Sequence, residues 1–241
     1  MRHCGNFPFG AGIMYRSARF DRADALAVQS PFYVAELMRP NATARLVMTD
    51  THANPTIALL QQRRSVSPVG LTGPGPTAAE ITTILGIAAR VPDHGKLAPW
   101  RFIVFEGAAL AQAAALISAV YAQDNPQADA ARLAQEGKRF TLAPLVIGVV
   151  SSAAPRGKIP DWEQVMSAAA AATLLIVAAN ALNYGTAWLT DWYAYDRRVL
   201  DQLGLAPHER MAGLIHIGRA LAKPEDRIRP LLSDKIAYFA G

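Results

Sequence analysis

Cysteine is nearly absent from this chain of 241 residues: it holds one, Cys4, with no second thiol to pair with. An intramolecular disulfide is therefore excluded, and a reducing cytoplasm is the simplest compartment. A secretory leader is missing too, because Met1–Gly12 lacks a basic head followed by a continuous apolar run. Arg2 and the lack of acids give it only a faint likeness to a transit peptide. There is no internal repeat and no low-complexity linker. Strong charge is also lacking. The formal net charge is +5, and the six Arg and three acidic residues of 1–47 account for +3 of it. So nearly neutral a main body carries no stripe of cations to track phosphates, which argues against DNA or RNA as a partner.

What is present is apolar: 51% of the residues are hydrophobic and 18% charged, enough for one substantial core. Residues 1–47 read as an upstream extension, disordered or arising from a mis-set start, with Met48 opening the folded unit, 48–241. Asn54-Pro55 has the form of an N-cap followed by Pro at the first helical position, predicting a helix that ends at Arg63-Arg64-Ser65. Gly73-Pro74-Gly75-Pro76 must turn. Thr77 to Glu80 has capping-box spacing, and Ile81, Ile84, Leu85 and Ala88 follow at helical period, predicting a helix over 77–90. Trp100 to Phe105 reads as a strand and residues 107–122 and 126–140 as Ala-rich helices. Pro144 to Val150 reads as a strand buried on both faces.

Residues 163–184 form the longest helical candidate, apolar enough that a membrane span has to be weighed. Its Ala and Ser content and Asn180 make a poor span, and a helix buried at the centre of a core accounts for the pattern. Thr186 to Thr190 is a short strand, Asp196 caps a helix ending near Gly204, and Met211 to Ile217 is the last clear strand. The tail through Pro224 and Pro230 is too broken for a long element and is expected to wrap another surface. Strands mixed with helices point to an α/β or α+β layout.

Few residues could carry chemistry. Arg63-Arg64-Ser65 sets two permanent charges and a hydroxyl together, suited to a phosphate monoester, although cations at a helix C-terminus also simply complement its dipole. Pro92-Asp93-His94-Gly95-Lys96-Leu97-Ala98-Pro99-Trp100 is braced by proline at either end and rich in donors and acceptors between. It looks built to hold a ligand. The other histidines, His52, His208 and His216, have no metal-ligand spacing to His94, so no metal is expected. Asp161-Trp162-Glu163 is better read as an acidic helix start than as a catalytic carboxylate pair. Trp188, Trp192, Tyr193 and Tyr195 complete a core as readily as they stack on a ring. No Ser-His-Asp order, phosphate-cradling glycine loop or nucleophilic thiolate competes.

In their order along the chain, Arg-Arg-Ser at 63–65, Arg-Val-Pro-Asp-His-Gly-Lys-Leu-Ala-Pro-Trp-Arg-Phe at 90–102, Ile-Pro-Asp-Trp-Glu-Gln at 159–164, Asn-Tyr-Gly-Thr-Ala-Trp at 183–188 and Ile-His-Ile-Gly at 215–218 resemble the nitroreductase family. The likeness is to its small single-domain bacterial branch and covers roughly residues 55–240. It implies a three-layer α-β-α fold with a central, mostly antiparallel sheet, an interlocked homodimer, and FMN bound at the dimer interface. Arg63, Arg64 and Ser65 would bind the FMN phosphate and ribityl group. His94, Ala98 and Pro99 would reach a flavin from the partner chain, Trp188, Leu189 and Thr190 would line its ring, and Gly218 would let backbone approach the phosphate. Ala178, Ala179, Asn180, Ala181, Leu182 and Asn183 would meet NADH or NADPH. No side chain is expected to be catalytic in itself, because the flavin carries the chemistry. Electrons would pass from reduced nicotinamide to a quinone, nitroaromatic or similar acceptor. A flavin-binding protein without turnover, and a dehalogenating or flavin-fragmenting relative, are the rivals. Two departures stand out: Ala98 replaces a usual Gln, and Leu189-Thr190 replaces an expected Arg-Ser, removing one cation beside the reduced flavin. Arg219 or Arg229 could replace it.

Overall fold

The computed structural model describes residues 54–155 and 158–239. The extension expected over residues 1–47 lies outside them. Helix α1 (Pro55–Gln62) starts as anticipated, with the Asn54 side chain accepting the N–H groups of Thr56 and Ile57 at 3.0 and 3.2 Å. It ends earlier than expected. Arg63 leaves the helical conformation at φ −59°, ψ 129°, and the Val66 N–H is drawn to the Thr186 carbonyl at 2.9 Å. The two arginines therefore follow the helix instead of closing it.

After strand β1 (Leu71–Thr72), helix α2 (Ala78–Ala88) opens with the full capping box: the Glu80 N–H donates to Thr77 Oγ1, and the Thr77 N–H to Glu80 Oε2. Strand β2 (Trp100–Glu106), helices α3 (Ala108–Asp124) and α4 (Ala130–Lys138), and strand β3 (Leu145–Ser151) follow. All seven residues of β3 are buried, as its unbroken apolar run predicted. The long helix α5 (Asp161–Ala181) leads to β4 (Gly185–Leu189), α6 (Arg197–Gln202) and β5 (Arg210–Ala220).

Every strand pairing is antiparallel, in the order β1-β5-β3-β2, with β4 also paired along β5. Alternation along β3 divides the core between two faces. Leu145, Ile147 and Val149 pack with α2 and α5, while Val146 and Val150 pack with α3, α6 and Phe140. The result is the expected α+β sandwich of helices, sheet, helices.

α5 is the one described helix long and apolar enough to cross a membrane, and half of its apolar window is buried within the protein. Its buried face (Gln164, Ser167, Ala168, Ala171, Ala172, Leu175, Ala178, Ala179) rests on the sheet and α2. The opposite stripe stays uncovered: Trp162, Val165, Met166 and Thr173 are exposed, at spacings that place them on one side of the helix. Beyond β5 the tail carries Ile228, Leu231, Tyr238 and Phe239 outward, Phe239 98% exposed.

Candidate functional site

The candidate residues collect at three places. At the C-terminal end of α5, Asn180 donates to the Tyr184 carbonyl at 2.7 Å and to Thr186 Oγ1 at 3.3 Å, closing the turn into β4. The Val66–Thr186 bond lays Arg63-Arg64-Ser65 against the start of that strand, and Gly185 there pairs with Gly218 of β5. The segment, β4 and Gly218 therefore form one corner. Arg63 makes no side-chain hydrogen bond or ion pair among the described residues, and the Ser65 hydroxyl is exposed. Arg64 is engaged: its Nη1 donates to the Glu225 carbonyl and lies 3.4 Å from Asp226 Oδ1, a carboxylate that Arg229 also holds at 3.0 Å.

Gly218 has a packing reason of its own, since a Cβ there would meet the Thr72 carbonyl and Pro144 Cδ, both at 2.9 Å. Its bare face is filled by protein. Arg219, the next residue, lies 4.0 Å over the Tyr184 ring and donates to the Asn183 carbonyl at 3.2 Å and the Tyr184 hydroxyl at 3.1 Å. That hydroxyl donates onward to Glu80 at 3.0 Å. Burial first, and then the bond to Glu80, push the Tyr184 phenol above its ordinary range. Bonds to the Thr77 backbone and hydroxyl hold the Glu80 carboxyl below its own.

The second place is the proline-braced loop at the other end of α5. Its turn over His94–Lys96 runs through Gly95, Lys96 and Ala98 at φ 74°, 56° and 45°. An unusual backbone needs fastening. The Asp93 carboxylate supplies it, accepting the N–H groups of Leu97 at 3.1 Å and Ala98 at 2.8 Å. From α5, Ser167 donates to the Pro92 carbonyl at 2.8 Å and accepts from the Trp100 indole at 3.3 Å. Gln164 holds the neighbouring segment through Ala154 and Ile159. His94 Nδ1 lies 2.7 Å from Glu163 Oε2. Ala98 is exposed and Pro99 buried.

The third place is the exit of β4. Trp188 lies flat across β5, its Nε1 donating to the Ala212 carbonyl at 3.2 Å, because Gly213 has no side chain where the indole passes. Trp188 is 37% exposed, and Leu189 and Thr190 follow it toward solvent.

The six residues at the end of α5 separate. Ala178 and Ala179 turn their methyls into the core against α2, Asn180 and Leu182 are half-buried, with Leu182 packed against that core, and Ala181 and Asn183 are exposed. Ser167 was not singled out in the sequence, and Asp93, Glu163 and Gln164 stood within the quoted motifs without these holding roles. Two polar residues three apart on the buried face of an apolar helix, Gln164 and Ser167, were the available signal. Among the described residues no cluster of three His, Cys, Asp or Glu could hold a metal.

Within one chain the first two places do not meet. Glu163, which holds His94, and Asn180, which abuts Thr186, are 17 positions apart on a continuous helix. At the α-helical rise this is roughly 25 Å.

Comparison with known proteins agrees with the fold. The model of the Nitroreductase family matches residues 60–219. A Haemophilus influenzae protein described as "Putative NAD(P)H nitroreductase" is 33% identical over 185 residues, covering 76% of this chain and 98% of its own. An Escherichia coli protein of the same description is 32% identical over 187 residues, with the same coverage. Among solved structures, a nitroreductase-like family protein from Bacillus cereus superposes with a TM-score of 0.66 at 23% identity, covering 78% of this chain and 97% of its own. A Bacteroides fragilis nitroreductase with bound FMN gives 0.58 at 19% identity, covering 78% and 100%. With the family model spanning well over half of the sequence and the curated relatives matched almost end to end, the chain belongs to the nitroreductase family.

Proposed function

We propose that the protein is an FMN-dependent NAD(P)H oxidoreductase that works as a homodimer and reduces quinones, nitroaromatics or similar small acceptors. One observation carries this reading. The cationic corner and the His94 loop, both suited to a phosphorylated flat ligand, are tied to α5 at Asn180 and Glu163, positions about 25 Å apart along the helix axis. A second copy with α5 running alongside would bring one chain's loop to the other's corner. The uncovered stripe of Trp162, Val165, Met166 and Thr173 and the outward apolar side chains of the tail supply surface for such a contact.

The residues present fit FMN. Arg63 has its guanidinium uncommitted and Ser65 its hydroxyl exposed, donors for a phosphate that in this reading also draws on Arg64. Trp188, Leu189 and Thr190 would line the ring on one side, and the partner's copy of the loop, through His94, Ala98 and Pro99, would cover the other. Gly218 would act by letting β1 and β4 close on β5 beside the phosphate. Ala181, Leu182 and Asn183 would meet the nicotinamide. FMN held there would supply the redox chemistry, hydride exchange between a reduced nicotinamide and a small acceptor in two half-reactions. The chain positions both partners in turn and excludes water. A reducing cytoplasm is the setting that the lone Cys4 favours.

The test is direct. Purified protein should be yellow, and NADH or NADPH added without oxygen should bleach it, a quinone then restoring the colour. A yellow protein that does not bleach would favour a flavin-binding module without turnover. A colourless one that takes up no FMN would end the proposal.

A further inference from the structure

His94 and Glu163 meet across 69 residues of sequence, Nδ1 to Oε2 at 2.7 Å, a distance that requires the proton between them to sit on the imidazole or the carboxylate. Above about pH 7 an ordinary carboxylate is ionised and can only accept, so Nδ1 is the donor. A neutral ring then carries no hydrogen on Nε2, which becomes an acceptor with no partner among the described residues. In an imidazole, the bond made by one nitrogen decides what the other can do.

Glu163 is not needed to fasten the loop. The Asp93 carboxylate already holds the N–H groups of Leu97 and Ala98, Ser167 holds the Pro92 carbonyl, and Gln164 holds Ala154 and Ile159. Among the described residues the Glu163 carboxylate makes one hydrogen bond, the one to His94. Both side chains are accessible, His94 65% and Glu163 41%, so neither is held by burial. A long, solvated pair of this kind contributes little to stability. Its consequence is orientation.

We propose that Glu163 is a positioning residue: it fixes the His94 imidazole as the Nδ1–H tautomer, so that Nε2 presents an acceptor to an N–H group on the ring bound by the partner chain. The inference rests on the flavin reading. An oxidised isoalloxazine has one N–H, on its pyrimidine edge, so Nε2 distinguishes that edge from the dimethylbenzene edge. No proton is transferred and no bond is made or broken.

The experiment uses the full chain with histidine labelled by nitrogen-15, free of ligand and loaded with FMN, at about pH 8.5, where an ordinary imidazole is neutral. In the wild type His94 should give the nitrogen shifts of the Nδ1–H tautomer. In Glu163→Ala it should revert to Nε2–H, with the thermal midpoint held and FMN bound about three- to tenfold more weakly, as for one lost hydrogen bond. Glu163→Gln, whose amide oxygen can still accept, should restore most of the tautomer and the affinity. A merely structural role would move the midpoint and leave the tautomer alone. A wild-type His94 found as Nε2–H, or a tautomer and FMN affinity unchanged in Glu163→Ala while the protein stays yellow, would overturn the assignment and leave the flavin reading standing. A wild type that binds no FMN would instead remove the reading beneath it. If Glu163→Ala does not fold, Glu163→Leu, close in volume and without an acceptor, takes its place with the same readout of nitrogen shifts.

Discussion

The Asp93 carboxylate reaches forward five residues to accept the Ala98 backbone N–H at 2.8 Å, and this bond holds an alanine at φ 45°. Left-handed backbone costs a non-glycine residue roughly 1–2 kcal/mol, so the carboxylate is what makes the loop's shape affordable.

Replacing Asp93 by Ala should therefore lose two hydrogen bonds to a charged acceptor and release the strain. Because the site is exposed, the net cost should be about 1–2 kcal/mol, the low end for such bonds. That is a drop of roughly 2–8 °C in thermal midpoint for a protein of this size. Ala98→Gly should raise the midpoint slightly or leave it, whereas Ala98→Val, β-branched at positive φ, should lower it. Calorimetry on the three variants checks the order; an Ala98→Val protein as stable as wild type would contradict it.

Arg63 and Arg64 differ in what they already do. Arg63 is uncommitted, while Arg64 holds Asp226 and the Glu225 carbonyl. If they bind a phosphate, Arg63→Ala should weaken FMN by about ten- to a hundredfold, the worth of a charge-assisted hydrogen bond, with little change in stability. Riboflavin, which lacks the phosphate, should bind both proteins alike. Arg64→Ala should weaken FMN similarly and also loosen the tail, seen as faster proteolysis beyond Ala220. Titrations of flavin fluorescence with the two ligands separate these outcomes.

What the sequence made legible was local. The capping box at Thr77 and Glu80, the N-cap at Asn54 and the both-faces-buried strand over Leu145–Ser151 each depend on neighbours a few residues away or on composition. What it hid was non-local. The end of α1 is set by Thr186, which takes the Val66 N–H from 120 residues downstream. β5 runs to Ala220, past the expected Ile217, because β1 pairs with its last two residues. Ala98 gives no warning of a positive φ, since the cause is a carboxylate on another residue. For the site, the motifs singled out Arg63, His94 and Trp188, which the fold leaves partly or fully exposed. The role of Glu163 was beyond reach, because an acidic residue in a first helical turn already has a sufficient reason to be there.

His216 gives a prediction in pH. It is fully buried in β5, edge-on to Phe140 at 6.2 Å between ring centroids, with Nε2 lacking a partner among the described residues. Burial holds its pKa below the ordinary 6.5, outweighing the nearby carbonyls of Leu214, Phe140 and Arg139. The unfolded chain therefore takes up a proton more readily than the folded one, and stability is full above about pH 6.5 and declines as pH falls below it. The wild-type midpoint should drop between about pH 7 and 5, ahead of any carboxylate titration, and His216→Leu should flatten that slope. Parallel slopes in the two proteins would remove His216 as the cause.

Met166 tests the proposed homodimer. It is 46% exposed at the middle of an apolar stripe whose neighbours, Val165 and Trp162, are exposed as well, on a helix whose other face is fully used by the core. A carboxylate there costs the isolated chain almost nothing, because the side chain already faces water, but between two packed helices it would be desolvated without a partner. Met166→Glu should thus sediment as a monomer at micromolar concentrations where the wild type is a dimer, and should keep its helical circular dichroism. It should also lose FMN, since the corner at Arg63 and the loop at His94 would no longer meet. Lys in place of Met should act the same way, separating a general cost of charge from repulsion by Glu163. A variant that is monomeric and still yellow would place the whole cofactor site within one chain, against the roughly 25 Å that α5 sets between its two halves.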